Sequence, residues 1–354
     1  MIRRFISARL VLGMVISAAA FAAVPAAQPS ITLVMTGLDN PRGLAIGPEG
    51  ALYVAEAGRG GTGPCVFLAG VAQIRCYGPS GAVSRLWRGE QTRVLTGLPS
   101  HANAAGEANG PVDISFQGLG GAYVTIGLGG TPDEREQFGP AGALFGTLVR
   151  APAFRQVREV ADLAQYEEDH NPDGGIVDSN VYGLLAGAGA RIVTDAGGNS
   201  MVRISANGDM STLATLPSRS SGRPTDAVPT AIVKGPDGAY YISELSGAPF
   251  TAGAARIYRL VPGEEPAIFL TGFKTAIDLD FGPDGSLYVL EHASGPVFFG
   301  GPGRVIRVAP DGTKTDVVTG LTRPTSVVVD GDETIYVTNR GISVGIGEVW
   351  RIEQ

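Results

Sequence analysis

The sequence predicts an all-β protein, a six-bladed β-propeller of four-stranded antiparallel blades, from three observations. A strand signature, apolar–any–Arg and usually a second apolar residue, occurs six times. The copies are Val83 to Leu86, Leu148 to Ala151, Met201 to Ile204, Ile257 to Leu260, Val305 to Val308 and Val349 to Ile352. Ahead of it stand Gly-rich turns, clearest as Gly47-Pro48-Glu49-Gly50, Gly235-Pro236-Asp237-Gly238 and Gly282-Pro283-Asp284-Gly285. Behind it several copies run into Thr-Gly-Leu-like exits: Thr96-Gly97-Leu98, Thr271-Gly272-Phe273 and Thr319-Gly320-Leu321. A fixed period of short strands in a Gly-rich chain indicates radial repetition.

In chain order, Arg3, Arg4 and Arg9 precede an apolar run from Leu10 to Phe21, and small residues follow to Ala27. This reads as a Sec-type signal peptide over 1–27, with a single propeller domain over 28–354 that is secreted or periplasmic. The apolar run is too short to span a bilayer, and no transmembrane segment is expected in the mature chain. The formal charge is −7, and losing three arginines takes the mature chain to −10. That sign opposes binding to nucleic acid, which needs clustered Lys and Arg. A monomer is expected. The two cysteines, Cys65 and Cys76, lie close together in an exported chain and are expected to pair.

The blades fall at roughly 37–98, 110–161, 180–216, 228–273, 275–321 and 323–352. Each opens with a hairpin whose second strand usually carries Tyr: Leu52 to Glu56, Ala122 to Ile126, Arg191 to Asp195, Tyr240 to Glu244, Leu287 to Glu291 and Ile335 to Asn339. Tyr and β-branched residues favour such pleated surfaces, and Pro and Gly punctuate them. A further exit, Thr36-Gly37-Leu38, precedes blade 1, while the chain ends just after the third strand of blade 6. Ile31 to Met35 is therefore expected to supply the outer strand of blade 6 and close the ring, which removes an exposed edge.

Antiparallel geometry sends all the long insertions, 57–80, 127–145, 161–179 and 217–226, to one face, opposite the tight turns. Variation on loops held by a rigid scaffold is where function usually sits. Two short helices are expected there. Thr131-Pro132-Asp133-Glu134 has an N-cap, a proline at N1 and a capping-box acid, and Asp162 caps the second helix.

The six signature arginines recur by symmetry and read as scaffold. The second strands end in Glu56, Asp195, Glu244, Glu291 and Asn339, with Ile126 in the remaining blade. Asp113 and Asp278 occupy matching first-strand positions, and Asn180 leads into a first strand. All are expected around the loop-face mouth of the channel. There they either cap strand ends and loop amides or hold a hard cation such as Ca²⁺, with Glu56, Glu244 and Glu291 as metal ligands. The histidines His101, His170 and His292 fall on loop-face segments, and His292 follows Glu291 directly. Gly58 to Gly63 fits a dinucleotide fingerprint and Gly341 to Gly345 a nucleophile elbow, but no helix follows either, so both are set aside.

Asn171-Pro172-Asp173-Gly174, Asp178-Ser179-Asn180, Asp195-Ala196-Gly197-Gly198-Asn199 and the segment 235–244 resemble the ScyD/ScyE family of exported, NHL-like propellers. Cys65, Cys76 and Ile126-Gly127-Leu128-Gly129-Gly130 extend the resemblance over the mature chain. It implies a six-bladed propeller outside the cytoplasm and carries no reaction. Two functions compete. The first is a binding or scaffold protein for a small molecule, glycan or protein on the loop face. The second is a metal-assisted, Ca-type hydrolase or lactonase with a carboxylate-rich site at the channel mouth.

Overall fold

Six antiparallel sheets follow one another around a ring in the computed structural model, which describes residues 1, 29–119, 121–218, 225–296 and 298–354. The segment read as a signal peptide lies outside the described residues, apart from Met1. Blades 2 to 5 are sequential four-stranded meanders. Blade 6 is Val327–Val329, Ile335–Asn339 and Gly347–Glu353, completed by the N-terminal strand Ser30–Leu38. Ile31 pairs with Ile352 and Leu33 with Trp350, so the expected closure is present and three residues longer at its C-terminal end than Ile31 to Met35.

The core is divided among the blade junctions. Tyr53, Ile114 and Val149 join blades 1 and 2, Tyr241 and Leu287 join 4 and 5, and Met35, Leu38, Val54 and Val349 join 6 and 1. The second strands Leu52–Glu56, Ala122–Ile126 and Leu287–Glu291 are buried along their whole length, because a blade packs on each of their faces. Their tyrosines lie directly opposite the signature arginines of the third strands: Tyr53 with Arg85, Tyr123 with Arg150, Tyr241 with Arg259, Tyr288 with Arg307 and Tyr336 with Arg351. The turn acid completes the set in two blades. Arg259 Nη2 is 2.6 Å from Asp237, and Arg307 Nη2 is 2.6 Å from Asp284. In blades 4 and 5 a scaffold role for the signature arginine therefore has a cause, since Arg259 and Arg307 each reach an acid of their own blade's turn.

The innermost strands are sheet edges facing the channel, so their outward amides need partners from outside the sheet. The neighbouring blade supplies them. Asp113 accepts from Leu184 N at 2.8 Å, Asp278 from Val327 N at 2.8 Å and Asp280 from Val329 N at 2.8 Å. At the closing junction Ser326 Oγ accepts from Leu44 N at 2.9 Å.

Both loop-face helices form as expected. Thr131 caps Pro132–Glu136 with a complete capping box, and Asp162 caps Leu163–His170. Blade 1 departs from its expected outline. Its insertion contains a strand, Cys65–Leu68, paired with the start of a 15-residue strand, Gln73–Trp87. Cys65 and Cys76 face each other in that ladder and form a disulfide. Val66 and Leu68 are buried while Cys65 and Phe67 are exposed, an alternation masked in the sequence by the glycines around it. Among the described residues no helix is long and apolar enough to cross a membrane.

Candidate functional site: an arginine-lined channel mouth

The strand-end residues are fully buried and committed to the chain itself. Glu56 accepts from Asp39 N at 2.7 Å, Ser84 Oγ at 2.6 Å and Arg93 Nη2 at 2.6 Å. Glu291 accepts from Lys274 N at 2.8 Å and Arg304 Nε at 2.7 Å. Asp195 accepts from Asn180 N at 2.7 Å and Ser179 Oγ at 2.6 Å, and Asn339 from Thr322 N at 2.6 Å. The shared feature is a backbone amide just before, or at the start of, the same blade's first strand. A side chain at the end of the second strand thus locks where the blade begins. Glu244 is buried at the equivalent place. Oxygens already held by arginine and amides are a poor ligand set for Ca²⁺, and no three His, Cys, Asp or Glu side chains among the described residues converge on one ion.

The mouth itself carries the opposite charge. A cavity of about 160 Å³ opens there, and its polar lining is Arg42, Arg75, Glu107, Asn109, Asn180, Tyr182 and His292. Of the expected site residues only Asn180 and His292 reach it. Arg75 is 5% exposed; Nη1 donates to Glu107 O, and Nε has no partner. Arg42 Nη2 donates to Ala108 O at 2.7 Å. Arg323 donates to Phe299 O and lies over the Phe299 ring. Among the described residues none of the three arginines forms an ion pair. Burial pushes the pKa of Arg75 down, against the charge of Glu107 and with a smaller contribution from Arg42, and burial outweighs Glu107 to lower that of Arg323 as well. Two arginines and one acid, Glu107, line the cavity with Arg323 nearby, which leaves a net positive potential in a partly closed space.

His292 is 5% exposed, and Nδ1 lies 2.8 Å from Pro324 O. A carbonyl only accepts, so Nδ1 carries the proton. Burial, reinforced by Arg323 and Arg42, pushes the ring down to about 3, and it is neutral at pH 7 with Nε2 as its acceptor. His101, expected on a loop-face segment, is instead fully buried against Phe138 and Phe145. The alanine-rich stretch around it gave no hint of a core position. His170 is the last residue of its helix, exposed to solvent and stacked on Tyr166.

Below the mouth the channel narrows to a neck between Asp113 and Asp278, beside Tyr182 and Thr325. Burial raises both carboxyls, Asp278 to about 7, and the charge of Asp278 adds to the shift at Asp113. Asp280 is raised by burial to about 6. An acid raised above its unfolded value contributes stability that is full below about pH 4 and lost as pH climbs through the folded value. The stability gap between wild type and Asp278→Asn should therefore narrow as pH rises from 5 to 8, by at most about 1.4 kcal/mol per pH unit. Thermal melts of the pair across that range would measure it, and parallel profiles would refute the shift.

Arg42 and Arg75 were not legible as site residues. Arg42 sits inside the first strand of blade 1 and Arg75 inside an insertion, and neither belongs to the sixfold pattern.

No family model matches the chain, and no curated protein does. Solved structures do. Virginiamycin B lyase from Staphylococcus aureus is 14% identical over 92% of this chain and 99% of its own, with a TM-score of 0.53. A Trichoderma reesei enzyme of carbohydrate-active family AA12 is 12% identical, covers 94% and 97%, and has a TM-score of 0.55. A luciferin-regenerating enzyme is 10% identical, covers 92% and 95%, and has a TM-score of 0.54. The likeness is one of fold.

Proposed function

We propose that this is an exported propeller of the ScyD/ScyE type that binds a small anionic molecule, of the carboxylate class, at the loop-face mouth of its channel. The observation that carries this reading is Arg75. It is a buried guanidinium with an unpartnered Nε, set beside Arg42 in a cavity where two arginines face one acid, Glu107, and where the Asn109 amide donates to Asn180 Oδ1. Guanidinium groups match carboxylate oxygens in geometry and charge, and the match strengthens where water is thin. The disulfide and the signal-like N-terminus support a place outside the cytoplasm.

Calorimetry with a panel of mono- and dicarboxylates and inorganic phosphate tests it. At least one member should bind, more weakly at high salt, and Arg75→Gln should weaken it at least tenfold while leaving the melting temperature nearly unchanged. Equal affinity in the variant, or no binding across the panel, would refute the reading.

A second reading rests on His292, whose neutral ring lines the same cavity and keeps Nε2 as a hydrogen-bond acceptor. One neighbour supports it by analogy, a virginiamycin B lyase described as catalytically inactive after replacement of one histidine. Turnover of a lactone panel by wild type but not by His292→Gln would favour a hydrolase or lyase over a binding protein.

A further inference from the structure

A second cavity on the loop face lies outside the channel. It measures about 350 Å³ and is bounded by Glu134, Asp173, Ile176, Asp178, Asn199 and Asp226. No lysine or arginine lines it among the described residues. Three of the sequence motifs, 171–174, 178–180 and 195–199, come together around it, and the channel mouth uses only Asn180 among them. Glu134 is occupied by the amides of Ala69 and Thr131, and Asp173 by Gly175 N and the Asn199 amide. Asp178 is different, because its buried Oδ1 accepts no hydrogen bond. Its carboxylate presses on the backbone of the opposite wall, where a Cβ on Gly70 would stand 2.3 Å from both oxygens.

A second buried acid lies behind that wall and does not itself line the cleft. Glu167, on the helix Leu163–His170, is 1% exposed, and its Oε1 has no partner. Its carboxylate points at Gly198, between the cleft-lining residues Gly197 and Asn199; a Cβ there would lie 2.3 Å from Oε2. Buried carboxylate oxygens without donors are costly and mark a place where a donor is missing. Burial, with Asp195, Asp173 and Asp178 nearby, raises Glu167 to about 8, and burial with Asp195, Glu134 and Asp226 raises Asp178 to about 7.

The acids are spread around the cleft and do not converge, so a bare divalent ion lacks a ligand shell there. A larger cation with several N–H donors fits that spacing, and Ile176 and Val177 offer its carbon skeleton apolar surface. We propose that this cleft binds an organic cation of the alkylamine class, with the ammonium donating to Asp178 and the carboxylates around it.

Calorimetry with putrescine as the probe, on the full mature protein, tests this. Binding should occur, should strengthen from pH 6 to pH 8, and should release protons when buffers of different ionisation enthalpy are compared. Asp178→Asn and Asp226→Asn should each weaken it at least tenfold, while Arg75→Gln leaves it unchanged, which separates this cleft from the channel mouth. No heat with putrescine, or binding of Ca²⁺ in its place, would overturn the proposal.

Discussion

A protein starting at residue 39 should fail to fold as a monomer. The strand Ser30–Leu38 is the outer strand of blade 6, held along Gly347–Glu353, and its Met35 and Leu38 are 1% and 0% exposed in the cluster that joins blades 6 and 1. Losing one core Met or Leu side chain costs about 2–5 kcal/mol. Domains of this kind have about 5–15 kcal/mol in total. Deletion removes both side chains and the whole ladder together, and it leaves Gly347–Glu353 as an open edge that invites pairing with another chain. Size-exclusion chromatography should show aggregate or an exchanged oligomer. Leu38→Ala should stay monomeric and melt earlier. A truncated monomer with an unchanged melting temperature would rule out the closure.

Glu56→Ala should destabilise the protein by about 3 kcal/mol without altering any response to Ca²⁺. The carboxylate is fully buried and holds Asp39 N, Ser84 Oγ and Arg93, so truncation strands two buried donors and a partly buried cation. Removing one partner of a buried pair usually costs about 3–5 kcal/mol. Arg93 is 40% exposed and regains water, which places the expectation at the lower end. Glu56→Gln keeps one acceptor and should cost less. Denaturant unfolding of the three proteins, with and without Ca²⁺, is the measurement. A Ca²⁺-dependent stabilisation present in wild type and absent in Glu56→Gln would return Glu56 to the role of a metal ligand.

The different fates of Glu56 and Arg75 show how far the sequence could be read. Glu56 belongs to a pattern, an acid or amide at the end of nearly every second strand, and the pattern located it at the correct strand end. The choice between ligand and strand lock needed Arg93, which is distant in sequence, and the amide of Asp39. Arg75 belongs to no pattern. Its importance comes from burial beside Arg42, which is set by how the Cys65–Leu68 hairpin folds over the mouth.

What repeats, and what is local, was therefore determined by the sequence alone: six blades, their strand order, the two capped helices, the disulfide partners and the N-terminal closing strand. Each follows from local period, turn chemistry or capping, which act within one blade or across one junction. What does not repeat was decided by the tertiary structure. The charge at the mouth, the neutral ring of His292, the burial of His101 and the unpartnered oxygens of Asp178 and Glu167 all depend on which insertions meet above the ring. Burial and electrostatic proximity are properties of that meeting, and no single segment encodes them.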